Sequence, residues 1–406
     1  MFLEILFFLS AGIALGVLTG LIPGIHPNTL FVMLMPFLIT LSGTGAYALI
    51  SFVVSLAVTN SITSFIPSIF LGAPEDGTSL SVLPGHRFLL KGLGHEAVVL
   101  TVAGAVTVTT LTAISSPFLM WFLPMLYSYV KSYIHILLAA VLLALLLPDR
   151  KRHYGLFFFI VSGISGILLL SSFSSQQAMF PALTGLFGLP VIITSMSTAN
   201  IFPKQKIRGN KDIRFIKGGF TGWLAGMLVG ILPGVGPSQA GVLSNTLLRG
   251  REKDFMISLG GINTAAVTLT FISLHTLMKT RSGAALAIYE SMGIPAAADV
   301  YFIIFTSLFS CFMASLITLK LSRGMVGIFP KISYKAVNTA VLSALIIIIV
   351  IISGLNGIVI AALCTVLGVS CGLLGVRRMY LMGFLMLPTI IYFSGLTSFT
   401  LNTLFL

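Results

Sequence analysis

Apolar runs of about 17 to 25 residues recur from one end of this chain to the other, each close to the thickness of a bilayer core. They fall at 46–71, 97–120, 133–148, 154–172 and 180–200, and again at 256–278, 299–319, 336–354, 356–376 and 381–402. A backbone in hydrocarbon has no water to bond with, so it must satisfy itself, and runs of this length do so as helices. With 57% hydrophobic against 8% charged residues, too little polar surface remains for a soluble globule. The expected fold class is all-α, a polytopic helical membrane protein of roughly 10–12 membrane segments.

Charge narrows the class further. A net charge of +13 invites a nucleic-acid reading, but the Lys and Arg residues lie in short loops between apolar runs rather than along one amphipathic face. That is the positive-inside pattern of a multi-pass membrane protein. The opening "MFLEILFFLS" has no basic n-region and carries Glu4, so the first span is expected to stay in the mature protein.

Two segments, 2–41 and 217–248, are hairpin-like, each interrupted near its middle by Pro and Gly, and they match each other. At an offset of 210, "GIALGVLTGLIPGIHPN" (12–28) meets "GWLAGMLVGILPGVGPS" (222–238) with seven identities in 17 positions, six of them Gly or Pro. This is an internal duplication. A weaker echo pairs Asn60-Ser61 with Asn263-Thr264. The expected domains are a first transmembrane repeat over 1–202, a basic cytoplasmic linker over 203–217, and a second transmembrane repeat over 218–406. With every basic loop placed inside, 217–248 a hairpin and 284–298 re-entrant, "SGTG" (42–45) falls outside while "RGREK" (249–253) falls inside. The two repeats are then inverted.

Proline withholds a backbone N–H and glycine relaxes a helix, so "IPGIHP" and "LPGVGP" are expected to break their helices within the membrane. Exposed backbone at that depth is tolerated where it lines a polar cavity, and a half-helix start offers its positive dipole end to an anion. The expected substrate site therefore comprises Pro23, Gly24, His26, Asn28, Thr29, Asn60 and Ser61 from the first repeat. From the second it takes Pro233, Gly234, Gly236, Ser238, Gln239, Asn263 and Thr264. The bland reading of these motifs is a pair of kinks that let Gly rows pack closely. Glu75, Asp76 and His26 are candidates for ion coupling by Na+ or H+, although a solvated loop explains the acid pair and a structural role explains the histidine equally well. His275, Lys279 and Arg281 would favour an anionic substrate if they face a polar cavity, and Glu290 and Asp299 flank an interfacial turn or serve proton coupling.

Cys311, Cys364 and Cys371 stand in apolar segments without CxxC spacing, and the histidines lack metal spacing, so no metal, no cofactor beyond a coupling ion and no nucleic acid are expected. Phosphate loops, HExxH and GxSxG are absent, which leaves no enzyme signature.

The duplicated "GVLTGLIPGIHP" and "GMLVGILPGVGP", with "LGAPEDGTSL…GHRFLLKG" and "GLFGLP" (185–190), resemble the permease subunit of the tripartite tricarboxylate transporters. The resemblance implies a carrier of carboxylates driven by an ion gradient, served by a small membrane subunit and an extracytoplasmic binding protein. His26 stands where that family usually has glycine, Pro84 near its usual aspartate, and Asn263 lacks the glutamate that commonly precedes it. The expected function is a secondary active permease for a di- or tricarboxylate. A flippase or scramblase for an anionic lipid headgroup is the alternative.

Overall fold

The computed structural model describes residues 2–22, 30–31, 34–38, 45–70, 78, 81–196, 204–207, 215–233, 235–248, 251–328 and 334–396. Among them every regular element is helical. Eight helical segments are long and apolar enough to cross a membrane, with a shorter apolar one at Arg378–Ser394.

In the first half, α1 (Phe2–Leu21) is followed by α2 (Ala46–Thr63) and the short α3 (Phe65–Phe70). The helical pattern lapses at Ser64 between them. Pro67 explains the lapse: it withholds the N–H that the Thr63 carbonyl would accept, and its ring crowds that carbonyl. The expected span 46–71 is one membrane segment, Ala46–Phe70, with this lapse inside it. Next come α4 (Val82–Leu90) and α5 (Gly94–Val130). At about 56 Å, α5 far outruns its expected end at 120. Its overhanging end carries exposed Trp121, Met125 and Tyr129, side chains suited to a membrane–water boundary. A 3-10 turn (Lys131–Tyr133) leads into α6 (Ile134–Leu146), then α7 (Arg152–Ser172). Helices α8 (Ser175–Leu183) and α9 (Leu189–Met196) are joined by a π-helical turn, Thr184–Gly188. That turn is most of "GLFGLP", and Pro190 again removes an N–H, here from the bond to Leu186.

In the second half, α10 (Phe215–Ile231) and α11 (Pro237–Leu248) flank the second Pro-Gly motif, followed by α12 (Glu252–Leu277), α13 (Gly283–Met292) and α14 (Ala297–Ile328). Helix α15 (Tyr334–Leu373) folds back at Gly354, whose φ of 60° no helix accommodates. Ile349 lies beside Gly357, and Leu345 and Ile349 share a core with Ala361, so its arms are antiparallel as the two expected spans 336–354 and 356–376 require. A 3-10 turn (Arg378–Met382) and α16 (Gly383–Ser394) complete the described chain.

Glycine rows set the packing. A Cβ on Gly12, Gly16 or Gly20 would collide with Ser55, Thr59 or Thr63 in turn, so α1 lies directly on α2, and the rising numbers show that they run parallel. Gly218, Gly222, Gly226 and Gly230 of α10 meet Ile257, Ser258, Ala265 and Leu269 of α12 in the same way. Two parallel helices need a return between them, and α11 supplies it, so 217–248 is the hairpin that the sequence implied. The halves interlock through α5 and α12, also parallel, where a Cβ on Gly104 would fall on the Ile257 carbonyl and one on Gly260 on the Thr101 carbonyl. Helix α14 runs against α5: His95 meets Ser322 at one end, and Val108 and Leu119 pack with Ile304 and Val300 toward the other.

Two bodies result. One holds α1–α5 and α10–α14, with its main core from Phe52 and Leu56 to Leu274 and Ile303. The other gathers α6–α9, α15 and α16 around buried Tyr380, and the tip of the α10–α11 hairpin, Leu232 and Val235, packs into it.

Candidate functional site

The two helices carrying the paired asparagines are the most enclosed in the molecule. From Ala48 to Thr63 every residue of α2 is buried, and α12 is nearly as enclosed. A helix buried on all sides has no lipid-facing stripe, so its polar residues face protein or an internal cavity. Hydroxyls mark both contacts with the glycine rows: Ser273 Oγ donates to the Gly230 carbonyl at 2.9 Å, and Thr63 Oγ1, which donates to the Thr59 carbonyl at 2.8 Å, lies 3.2 Å from that of Gly16.

The asparagines meet where the halves meet. Asn263 Nδ2 donates to the Ser61 carbonyl at 2.8 Å, a bond from α12 across to α2. Asn60 Nδ2 donates instead to Thr19 Oγ1 of α1 at 3.1 Å. Asn263 is half-buried whereas Asn60 is fully enclosed, and Asn60 Oδ1 has no hydrogen-bond partner among the described residues. The adjoining Thr59 Oγ1 is also buried without a partner. A buried acceptor left unmet costs about 1–3 kcal/mol. Ser61 and Thr264 turn their hydroxyls back onto their own helices, at Val58 O and Gly260 O.

At the second Pro-Gly motif, Pro233 lies in a turn and Gly236 is buried. Gln239 braces that turn, accepting from the Gly236 N–H at 2.9 Å through Oε1 and donating through Nε2 to the Met379 carbonyl at 3.4 Å. Both ends of its amide are thus engaged, and it links the hairpin tip to the second body. Pro23, Gly24, His26, Asn28, Thr29, Glu75, Asp76 and Gly234 lie outside the described residues, as does the side chain of Ser238.

Charges stand at the ends. The linker residues Lys204–Ile207 dock on the α4–α5 corner: Gln205 accepts from the Gly94 N–H and donates to the Leu89 carbonyl, each at 3.0 Å. Beside them Lys253 pairs with buried Glu96 at 3.1 Å, Arg87 pairs with Glu252, and His95 bonds Ser322 at 2.7 Å. Asp149 holds Arg377 at 3.4 Å, and Tyr380 donates to it at 2.9 Å. Arg281 stands near the far end of α5, its guanidinium 5.6 Å from the centre of the Tyr127 ring, and burial pulls its pKa down to about 10, so it stays charged at neutral pH. Asp299 bonds the Ala296 N–H at 2.8 Å, and His275 bonds the Pro295 carbonyl at 2.8 Å, both structural roles at the α13–α14 turn. Cys311, Cys364 and Cys371 are buried free thiols.

Sequence reading missed Thr19, which fixes the Asn60 amide, and Pro67, which ends α2. A proline seven residues after a membrane asparagine was the available signal for the second.

A bundle of apolar helices whose buried members α2 and α12 are joined by the Asn263–Ser61 bond is a polytopic membrane protein with polar side chains in its interior. The chain belongs to the tripartite tricarboxylate transporter TctA family, whose model matches residues 6–383. That family is part of a tripartite transporter system with a binding protein and a small subunit. It is also similar to uncharacterized protein MJ1079 of Methanocaldococcus jannaschii, 30% identical over 398 residues, covering 96% of this chain and 98% of that one. No solved structure matches.

Proposed function

We propose that the protein is the permease of such a system, a secondary active carrier that moves a small di- or tricarboxylate across the cytoplasmic membrane with Na+ or H+. Its substrate site is assigned to both repeats, 1–202 and 218–406, with Asn60, Ser61, Asn263 and Thr264 and the motif residues Pro23, Gly24, Asn28, Thr29, Pro233, Gly234, Ser238 and Gln239 as the candidates. The observation that carries this reading is the Asn263–Ser61 bond between two fully internal helices, one from each half. Asn263 is half-buried, so its amide adjoins accessible space, as a residue that meets substrate must.

Helix directions support an inverted arrangement. Tyr47, at the start of α2, packs on Phe302 at a ring-centroid distance of 4.8 Å, near the start of α14. Ser322, about 30 Å further along α14, lies at the end where α5 and α12 begin. Ser61 meets Asn263 only about 15 Å into α12, so α2 runs toward the α12 start, opposite to it. Alternating access then moves one body against the other, with the α10–α11 tip as the shared contact.

Proteoliposomes holding the purified chain, with and without a small subunit and binding protein, test this. Uptake of labelled di- or tricarboxylate that follows an imposed ion gradient and falls in Asn263→Ala is expected. Lipid translocation without carboxylate uptake would overturn the carrier reading in favour of headgroup flipping.

A further inference from the structure

We propose that the docked linker and the α4–α5 corner form a binding site for an anionic phospholipid at the membrane surface, with Lys91, Lys204 and Lys206 around its phosphate. The site does not depend on what the protein transports.

The corner is fixed by backbone contacts. Gly92 has a φ of 75°, a conformation L side chains rarely adopt, and a Cβ there would lie 2.8 Å from the Lys204 carbonyl, so glycine is what lets the linker approach. The Lys206 N–H donates to the Gly92 carbonyl at 2.7 Å, and Gln205 bonds the Gly94 N–H and the Leu89 carbonyl. Gln205 is half-buried while Lys204, Lys206 and Ile207 are exposed, so the residue between the two lysines takes the inward place and leaves them outside. Lys91, also exposed, directly precedes Gly92. Docking thus gathers three cations from segments far apart in the chain.

Charge and location select the ligand. The neighbouring Arg87 and Lys253 are neutralised by Glu252 and Glu96, whereas no acid among the described residues pairs with Lys91, Lys204 or Lys206. Three such ammonium groups about one fixed turn suit an anion with its charge on phosphate oxygens. The corner opens α5, beside the start of α12 and the end of α14, where three membrane-crossing helices reach the surface. Leu90 and Ile207, next to Lys91 and Lys206 in the chain, are 53% and 48% exposed. Cations beside exposed aliphatic side chains at the end of a membrane bundle complement both the headgroup and the upper acyl chain of an anionic lipid. A free phosphate would leave the aliphatic side chains without a role.

Native mass spectrometry and thermal unfolding of the purified chain in detergent, titrated with phosphatidylglycerol or with phosphatidylcholine of the same acyl chains, test the site. Saturable retention of phosphatidylglycerol over phosphatidylcholine, with a rise in Tm, is expected. Lys204→Gln with Lys206→Gln is expected to raise the half-saturating concentration about tenfold. Arg150→Gln with Arg152→Gln removes the same charge from exposed residues of another loop and is expected to leave it within about twofold. Gln205→Ala keeps every charge but undocks the linker, and a rise of about threefold or more is expected. Equal losses in the two double variants, or an unchanged half-saturation in Gln205→Ala, would reduce the effect to diffuse attraction and overturn the site. If Gln205→Ala does not fold, the two double variants decide alone. Inorganic phosphate and glycerol 1-phosphate are expected not to raise the Tm; a rise equal to that with lipid would assign the lysines to a soluble anion instead. No preference for phosphatidylglycerol would overturn the proposal and leave the corner to a protein partner.

Discussion

Helices α2 and α12 share a setting and differ in what holds them. Both lie on a glycine row, carry an asparagine and are buried on nearly every side. Helix α12 is continuous, is pinned to α5 by backbone contact at Gly104 and Gly260, and spends its asparagine across the interface. Helix α2 breaks at Ser64 and leaves an amide oxygen unmet. The pair thus sets a rigid strut against a helix whose pattern lapses beside Pro67.

The strut is the costliest thing to disturb. Valine at Gly260 places its Cβ on the Thr101 carbonyl, where no flexible side chain can yield. Backbone overpacking of this kind exceeds the usual 1–3 kcal/mol of a crowded core, so little or no monodisperse protein is expected by size-exclusion chromatography. Next in size is Asn263→Ala, which removes the bond between the halves. Carboxylate uptake is expected to fall about tenfold or more, equal to about 1.4 kcal/mol, while the protein stays folded. Pro67→Ala sharpens the contrast itself by letting α2 run into α3. Removing a mid-helix proline recovers up to about 3 kcal/mol, so a higher Tm with several-fold slower uptake is expected, and a lower Tm would show that the break is not imposed by Pro67. Smallest is Lys253→Met, which removes the ion pair to buried Glu96. With the lysine half exposed, about 1–2 kcal/mol is expected rather than the 3–5 of a fully buried pair, and adding Glu96→Gln should restore most of the lost Tm.

Much of the fold was legible because membrane helices announce themselves by length and apolarity. The 217–248 hairpin and the fold-back near residue 354 follow from proline and glycine placed in apolar runs. Boundaries were less legible: α5 overruns to Val130 because its outer end is still apolar, and the helix carries through Pro117 and Pro124. At the site, the Asn60/Asn263 echo located the meeting point of the halves. The sequence could not say that Gln239 would turn both ends of its amide to backbone, or that Thr19 would orient Asn60, since both depend on which helices lie side by side. The Ser64 lapse was readable in principle from Pro67, but a 25-residue apolar stretch masks a single proline in its last turn.

The most direct test of a carboxylate carrier whose halves meet at Asn60 and Asn263 is uptake of labelled citrate and succinate into proteoliposomes under an imposed sodium gradient. The expected result is concentrative uptake that collapses when the gradient is dissipated and falls about tenfold or more in Asn263→Ala. Uptake indifferent to any ion gradient, or unchanged in that variant, would contradict it.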